Sequence, residues 1–318
     1  MARPDAVWNA AEGPSTTRAP RLKNPLKWLR IAIARTLARL LKLVSLRPAG
    51  CRAVQAVRKT PILGPFVQAL LAFNRPFPNL EAGEVYIRRY ISEGHEHPHQ
   101  YYAHLGFAEI TRESDYAVLY HLAPIASQLR SVFDLGGSIG NVFYAYDRRL
   151  HFSPDLRWTI KELAVKKQQM LDFARSKGEA RIAFTEEFSD ASGVDLFIVT
   201  GALPFFEEKL ATMLGRLAVL PQIVVVDRTP FSAKGDFITA QDAGLWAHPF
   251  KLHDVETFLS GMVSLGYELV DRWPVHERKF LVPLYPELND HYWGFLFRLK
   301  GSDTFRPTVA KLISAANA

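Results

Sequence analysis

Residues 131–141, Ser-Val-Phe-Asp-Leu-Gly-Gly-Ser-Ile-Gly-Asn, constrain the fold of this chain more than any other stretch. Val132, Phe133 and Leu135 make the short apolar run of a buried strand. Gly136, Gly137 and Gly140 then punctuate a tight turn, and Val142, Phe143, Tyr146 and Leu150 follow at helical spacing. A strand, a glycine-rich turn and a helix start together make a nucleotide cradle. Glycine lets a ligand approach the backbone closely, and a helix N-terminus presents free N–H groups. Two acids sharpen the signal: Asp134 inside the motif, and Glu162 at the end of the next apolar run. A carboxylate at that second position can accept both hydroxyls of a ribose. The dinucleotide spacing G-x-G-x-x-G is not met, because Gly136 and Gly137 are adjacent, and this disfavours a nicotinamide-dependent enzyme.

From residue 131 onward strand-like runs alternate with helical periods, which predicts a doubly wound α/β domain of seven strands. The strands are expected at 131–135, 157–162, 181–184, 195–200, 223–227, 267–273 and 291–299. Helices are expected from 141 to about 150, at 164–176, from 206 to about 217, and at 253–265, with an irregular stretch before the last. Only ten residues join the third and fourth strands, too few for a helical crossover. The strand order should therefore reverse there, placing ligands above the carboxyl ends of strands one and four.

The charge is unevenly placed. Residues 1–60 hold 13 Lys/Arg against 2 Asp/Glu, a net of +11, which leaves −4 for the rest of a chain whose total is +7. A nucleic-acid enzyme would carry its basic patch beside the active site, so nucleic acid is not an expected partner. Residues 1–24 read as a flexible tail and 25–60 as a basic amphipathic helical arm. Leu26, Leu29, Ile33, Leu37, Leu40 and Val44 form one stripe of a helix at 25–46. Lys27, Arg30, Arg35, Arg39 and Lys42 lie largely outside that stripe, too many cations for a bilayer span. Two readings stay open for this helix: an interfacial helix on an anionic membrane surface, or a helix packing its leucines on the main domain. A targeting peptide is a third. With Cys51 as its one cysteine, the chain forms no internal disulfide and fits a reducing, cytoplasmic compartment, peripheral to the inner membrane face if the first reading holds.

Residues 61–130 read as a helical extension or lid. Asn79 is placed to cap a helix running to about Ile91 and closed by Gly94, and Ser114 one running to about Leu129 that Pro124 kinks or splits. Between them lie His95, His97 and His99, with Tyr101, Tyr102 and His104 close behind. A solvated loop, a substrate-facing lid and a metal site are all open for these histidines, and no nearby cysteine or carboxylate completes a ligand set. Residues 301–318 read as a C-terminal tail.

Several local signatures carry a resemblance to a known family. The spacing Asp134-x-Gly136-Gly137-x-x-Gly140 resembles motif I of the class I S-adenosylmethionine-dependent methyltransferases. Phe133–Gly137, Trp158–Glu162, Asp195–Leu203 and Gly266–Trp273 together resemble a bacterial family of methyltransferases linked to cell-surface polysaccharide loci. The resemblance covers about 131–299. It implies a Rossmann-like methyltransferase sheet with a helical N-terminal extension, and S-adenosyl-L-methionine as cofactor. It implies that Gly136, Gly137, Ser138 and Gly140 cradle the cofactor. Asp134 would anchor the turn or the methionyl ammonium, and Glu162 the ribose hydroxyls. Glu186 would meet the adenine, and Thr200, Gly201 and Leu203 would face cofactor and substrate. Ser138 stands where small-molecule O-methyltransferases carry a third glycine.

The implied reaction is O-methylation of a small molecule, a cell-surface glycan or a lipid-linked saccharide precursor. A hydroxyl acceptor calls for a general base. Asp227, at the carboxyl end of the fifth strand, and His248 are the candidates, with Arg228 placed to hold an acidic sugar or phosphate group. His253 reads as the start of the helix that follows. The alternative of a different class is a non-catalytic protein that kept the fold as a cofactor-binding scaffold.

Overall fold

The computed structural model describes residues 25–45, 47–64, 67, 76–88, 94, 104–108, 110–242, 247–280 and 290–301. The tail expected at 1–24, most of that expected at 301–318, and His95, His97, His99, Tyr101 and Tyr102 lie outside them. The chain forms two compact units, Met1–Leu71 and Ala72–Ala318.

In the first unit, α1 (Pro25–Ser45) is the helix that the leucine stripe predicts, and it packs on a second helix, α2 (Pro48–Arg58). Pro48 opens α2, where a missing N–H costs nothing. The helical arm expected at 25–60 is thus a pair of helices. Leu29, Ile33, Leu37, Leu40 and Val44 are exposed, while Ala38 is buried. No described helix is long and apolar enough to cross a membrane.

The second unit is built on parallel strands β1 (Ser131–Leu135), β2 (Arg157–Lys161), β3 (Ile182–Thr185), β4 (Leu196–Thr200) and β5 (Ile223–Ser232). Their order is β3-β2-β1-β4-β5, with β4 on the far side of β1 from β2. The reversal that the short β3–β4 connection demands is therefore present, and only a 3-10 turn at Phe188–Ala191 fills that connection. The last strand, β9 (Asp290–Leu299), runs antiparallel between β5 and β8 (Tyr267–Phe280). Seven strands thus form the doubly wound sheet that the periodicity predicts.

Both faces are covered, which is why the inner strands are nearly continuous apolar runs. Val132, Ile160, Ile198 and Val225 pack on one face with α5 (Asn141–Leu150) and α6 (Lys167–Ser176). Phe133, Phe197, Val199 and Val226 pack on the other with α7 (Leu210–Leu214) and α8 (Val255–Ser264).

Several boundaries differ from expectation, each for a local reason. The Asn79 carboxamide does cap α3 (Leu80–Ile87), accepting from the Ala82 N–H at 2.7 Å, but Arg88 ends it. Helix α4 (Asp115–Leu122) stops two residues before Pro124, which cannot continue the hydrogen-bond ladder. Ser114 does not cap it: its hydroxyl donates to Glu277 Oε1 at 2.6 Å. Helix α7 is shorter than expected, beginning only after the extended Lys209 and ending at Gly215.

The largest departure is a hairpin in the stretch expected to be irregular, β6 (Phe237–Asp242) against β7 (Ala247–Asp254). It joins the sheet only where Phe231 and Ser232 pair with His253 and Asp254. His253 is therefore a strand residue, and the carboxylate of Asp254 caps α8 through the Thr257 N–H. Phe77 bridges to Ile238, and Ile87 packs with Ala240 and Ala247, so α3 seals the hairpin.

Candidate cofactor and acceptor site

The glycine turn is fixed by its own side-chain partners. Gly136 and Gly140 take positive φ (71° and 91°), and Ser138 joins them at 55°. A Cβ on Gly136 would stand 2.4 Å from the Cβ of Ala202, and one on Gly137 only 2.3 Å from Asp134 Oδ2. The two glycines expected to make room for a ligand are therefore demanded by the protein's own packing as well. Glu162 holds the turn from below: Oε2 accepts the Ser138 N–H at 3.0 Å and Oε1 the Leu163 N–H at 2.9 Å. Lys166 lies 3.8 Å from Oε1. A carboxylate with two oxygens has lone pairs left for a diol after these bonds.

Asp134 is fully buried. Its Oδ2 accepts the Trp158 indole N–H at 3.1 Å, while Oδ1 has no hydrogen-bond partner. Burial pushes this carboxyl up to about 7, partly offset by the indole bond and reinforced by the nearby Glu162 charge. The side chain lies against Gly137, at the start of the turn. Asn141, the first residue of α5, donates to the His104 carbonyl at 2.7 Å, so the end of the histidine-rich segment lies against the cradle.

At the next switch of strands, Thr200 is level with Asp227 in the β4–β5 register, and the Gly201 N–H donates to the Asp227 carbonyl at 2.9 Å. Asp227 is also fully buried. Its Oδ1 accepts the Trp273 indole N–H at 3.0 Å, and Arg228 Nη1 lies 3.5 Å from Oδ2. Burial raises this carboxyl, with the Arg228 charge opposing. Arg228 takes a left-handed φ of 51° and ion-pairs with Asp115 at 2.6 Å. Burial alone would lower its guanidinium, but Asp227 and Asp115 outweigh that and raise it.

Other expected residues are placed differently. The side chain of Leu203 is fully buried in the core with Phe133 and Phe197. Glu186 is exposed, and its carbonyl accepts from Lys161. His248 sits within β7 opposite Gln241, with its ring edge-on to Phe205 at 5.5 Å. The parallel pairing of β5 with β7 is made at Phe231–His253 and Ser232–Asp254, beyond both Asp227 and His248. Arg228 is already an ion-pair member, committed to Asp115.

Sequence reasoning missed Trp158 and Trp273 as the partners of the two buried acids. No local sequence signal marked them, because each reaches its acid from a different strand of the folded sheet. Among the described residues, five buried polar atoms lack a hydrogen-bond partner: Asp134 Oδ1, Asn141 Oδ1, Tyr144 Oη, Asp227 Oδ2 and Arg228 Nε. Asp134 lies near the carboxyl end of β1, Asp227 and Arg228 lie midway along β5 level with the carboxyl end of β4, and Asn141 and Tyr144 lie in the first turn of α5, the region where a doubly wound sheet takes its ligands.

No protein-family model and no curated protein matches the chain. Among solved structures, the chain is similar to an S-adenosylmethionine-dependent methyltransferase from Clostridium acetobutylicum, at 12% identity and a TM-score of 0.42, covering 64% of this chain and all of that one. It is similar also to an O-methyltransferase family protein from Burkholderia thailandensis, at 14% identity and a TM-score of 0.44, covering 75% of this chain and 68% of that one. At such identity the fold is read from the strand order itself: five parallel strands, then an antiparallel strand inserted beside β5.

Proposed function

We propose that the chain is an S-adenosylmethionine-dependent methyltransferase acting on a hydroxyl of a cell-surface glycan or lipid-linked saccharide precursor. The observation that carries the reading is the set of unpartnered buried polar atoms near the carboxyl end of β1 and, on β5, level with the carboxyl end of β4, beside a glycine turn tied to Glu162. The residues fit the cofactor. Glu162 has lone pairs for the ribose hydroxyls, and Asp134 Oδ1 is a free acceptor near the turn. Turn residues Gly136, Gly137, Ser138 and Gly140 supply backbone, and Thr200 and Gly201 close the far side; Glu186 would meet the adenine from beyond the end of β3.

S-adenosylmethionine supplies an electrophilic methyl group with a good neutral leaving group. What the chain must add is alignment and a proton acceptor. Asp227 would be that acceptor, because Trp273 fixes Oδ1 while Oδ2 has no hydrogen-bond partner and only a longer, 3.5 Å ion-pair contact with Arg228. Its raised proton affinity suits a base better than an ordinary carboxylate would. His248 remains the second candidate base, reached from the inserted hairpin. The exposed apolar stripe of α1 and the cations around it support a peripheral seat on an anionic membrane at the cytoplasmic face, where lipid-linked acceptors lie.

A cofactor-binding protein without turnover is the second reading. It is favoured by the fact that Gly136, Gly137 and Glu162 are each accounted for by packing within the turn. Calorimetry with S-adenosylmethionine and with NAD tests the cofactor: heat with the first and none with the second is expected. Methyl transfer to fractionated envelope glycans, followed with labelled cofactor, then separates the two readings. Binding without transfer to any fraction would favour the scaffold.

A further inference from the structure

Three arginines, Arg112, Arg228 and Arg278, are brought to one place beside the middle of β5 by Asp115 and Glu277, and the acids around them are unevenly shared. Arg228 takes Asp115 Oδ1 at 2.6 Å and has Asp227 Oδ2 at 3.5 Å. Asp115 is then fully used, since Tyr146 also donates to Oδ1 at 3.0 Å and the Arg112 N–H to Oδ2 at 2.7 Å. Glu277 spends both oxygens on Ser114, accepting its N–H at 3.0 Å and its hydroxyl at 2.6 Å. Those two bonds lay the end of β8 along residues 112–115, and Arg278 with it.

What remains are the guanidiniums of Arg112 and Arg278. Arg112 lies over the Phe107 ring, 4.9 Å from its centroid, and Arg278 over Tyr292 at 5.7 Å. Both are half-buried, and among the described residues neither has a carboxylate oxygen at ion-pair distance, while Arg278 is hydrogen-bonded to Tyr292. Burial, then the charges of Arg228 and Arg278, push Arg112 down to about 10 against the opposing pull of Asp115 and Glu277; burial also lowers Arg278, with Tyr292, Glu277 and Asp227 opposing and Arg228 adding. The acids offset part of the repulsion, but their oxygens are turned to other donors, so an anion gripped directly by the two forks would add to what they supply.

We propose that Arg112 and Arg278 form an oxyanion subsite beside Asp227 that holds a phosphate or carboxylate group of the acceptor. Two planar forks can grip one such group through paired N–H donors, which a single lysine could not do. Arg228, by contrast, shapes the subsite and stays with Asp115. The proposal rests on the reading that acceptors dock beside the middle of β5, and it narrows their class to acidic molecules.

The test is calorimetry and melting of the full chain with inorganic phosphate replacing chloride at constant ionic strength. The wild type should bind phosphate and melt higher in it. R112M and R278M should each weaken phosphate binding at least tenfold, yet melt no lower than wild type in chloride, because each removes a like-charge neighbour. R278K keeps the charge without the fork and should fall between them. A parallel titration with acetate distinguishes a site that takes carboxylates from one selective for phosphate. Phosphate binding absent in the wild type, or unchanged in R112M and R278M, overturns the subsite. Calorimetry with S-adenosylmethionine on the same samples keeps the two ideas apart: a wild type that binds phosphate but no cofactor defeats the methyltransferase reading and leaves the subsite standing.

Discussion

The indole of Trp273 lies over Gly294, so close that a Cβ there would stand 2.0 Å from the ring. Gly294 faces Trp273 across the β8–β9 pair, and its missing side chain is what lets the indole reach inward to Asp227. The same arrangement recurs at β1, where Gly137 leaves room for the Asp134 carboxylate and Trp158 donates to it. Two buried acids on one face of the sheet thus each have one oxygen fixed by an indole and the other left without a partner. An acid held in this way has a set direction, which is what proton transfer or cofactor contact requires.

Gly294→Ala should destabilise the fold by about 2–4 kcal/mol, since overpacking against a rigid indole has no easy relief. Trp273→Phe removes the atoms nearest the new Cβ, so the double variant should melt above Gly294→Ala alone. That non-additivity is the signature of direct contact. Thermal melts of the two single variants and the double one check it, and additive losses would show that Gly294 is needed for some other reason.

Asp134→Asn should change the pH dependence of stability in a defined direction. The carboxyl titrates at 3.8 in the unfolded chain and near 7 in the fold, because burial favours its neutral form. Its contribution is fully present below about 4 and is lost as pH rises through about 7. The amide cannot ionise, so the stability of wild type relative to Asp134→Asn should fall by roughly 4 kcal/mol between pH 4 and pH 8. Urea melts across that range measure the difference, and parallel curves would mean that Asp134 is not held neutral.

Most of the sheet was legible because strands buried on both faces are written largely in apolar residues. Val132, Phe133 and Leu135, then Leu196–Val199 and Ile223–Val226, are such runs, with the buried Asp134 as the one polar interruption among them. The hairpin at 237–254 was not legible, because its residues break the same rule. Pro249 interrupts β7, and Lys251 and His253 are buried there. Pro249 is tolerated because at its level β7 pairs only with β6, leaving the other edge open. Lys251 is accommodated by donating to the Glu207 carbonyl at 2.6 Å and by Asp236 at 3.0 Å. His253 lies 3.2 Å from the Leu203 carbonyl, and burial lowers it to about 4, so it stays neutral. The glycines and acids of the cradle were found from their spacing. Arg112, Arg278 and the two tryptophans were not, since only the folded sheet brings them to the acids.

Glu162→Ala should weaken S-adenosylmethionine binding by about 1–3 kcal/mol through lost charge-assisted hydrogen bonds. It should also lower the melting temperature, because the Ser138 and Leu163 N–H groups lose their acceptor. Glu162→Gln keeps an acceptor oxygen and should recover part of the stability but little of the affinity. Calorimetry beside melting curves separates the roles, and a full recovery of affinity in Glu162→Gln would remove the carboxylate charge from cofactor binding.

The basic helix α1 gives the last test. On an anionic surface its leucine stripe would enter the acyl boundary, with each cation near the headgroups contributing about 1 kcal/mol. Reversing Arg30, Arg35 and Arg39 to Glu in the full chain should then release the protein from vesicles containing phosphatidylserine, and raised salt should weaken the wild type through screening. S-adenosylmethionine binding should stay unchanged, since no residue of the cradle lies in α1. If the helix instead packs its leucines within the protein, vesicle binding will be weak in both chains and insensitive to salt. Replacing Leu29 and Ile33 with Ser then tells the two apart, because a packed stripe would lose thermal stability and a membrane-facing stripe would lose only vesicle binding.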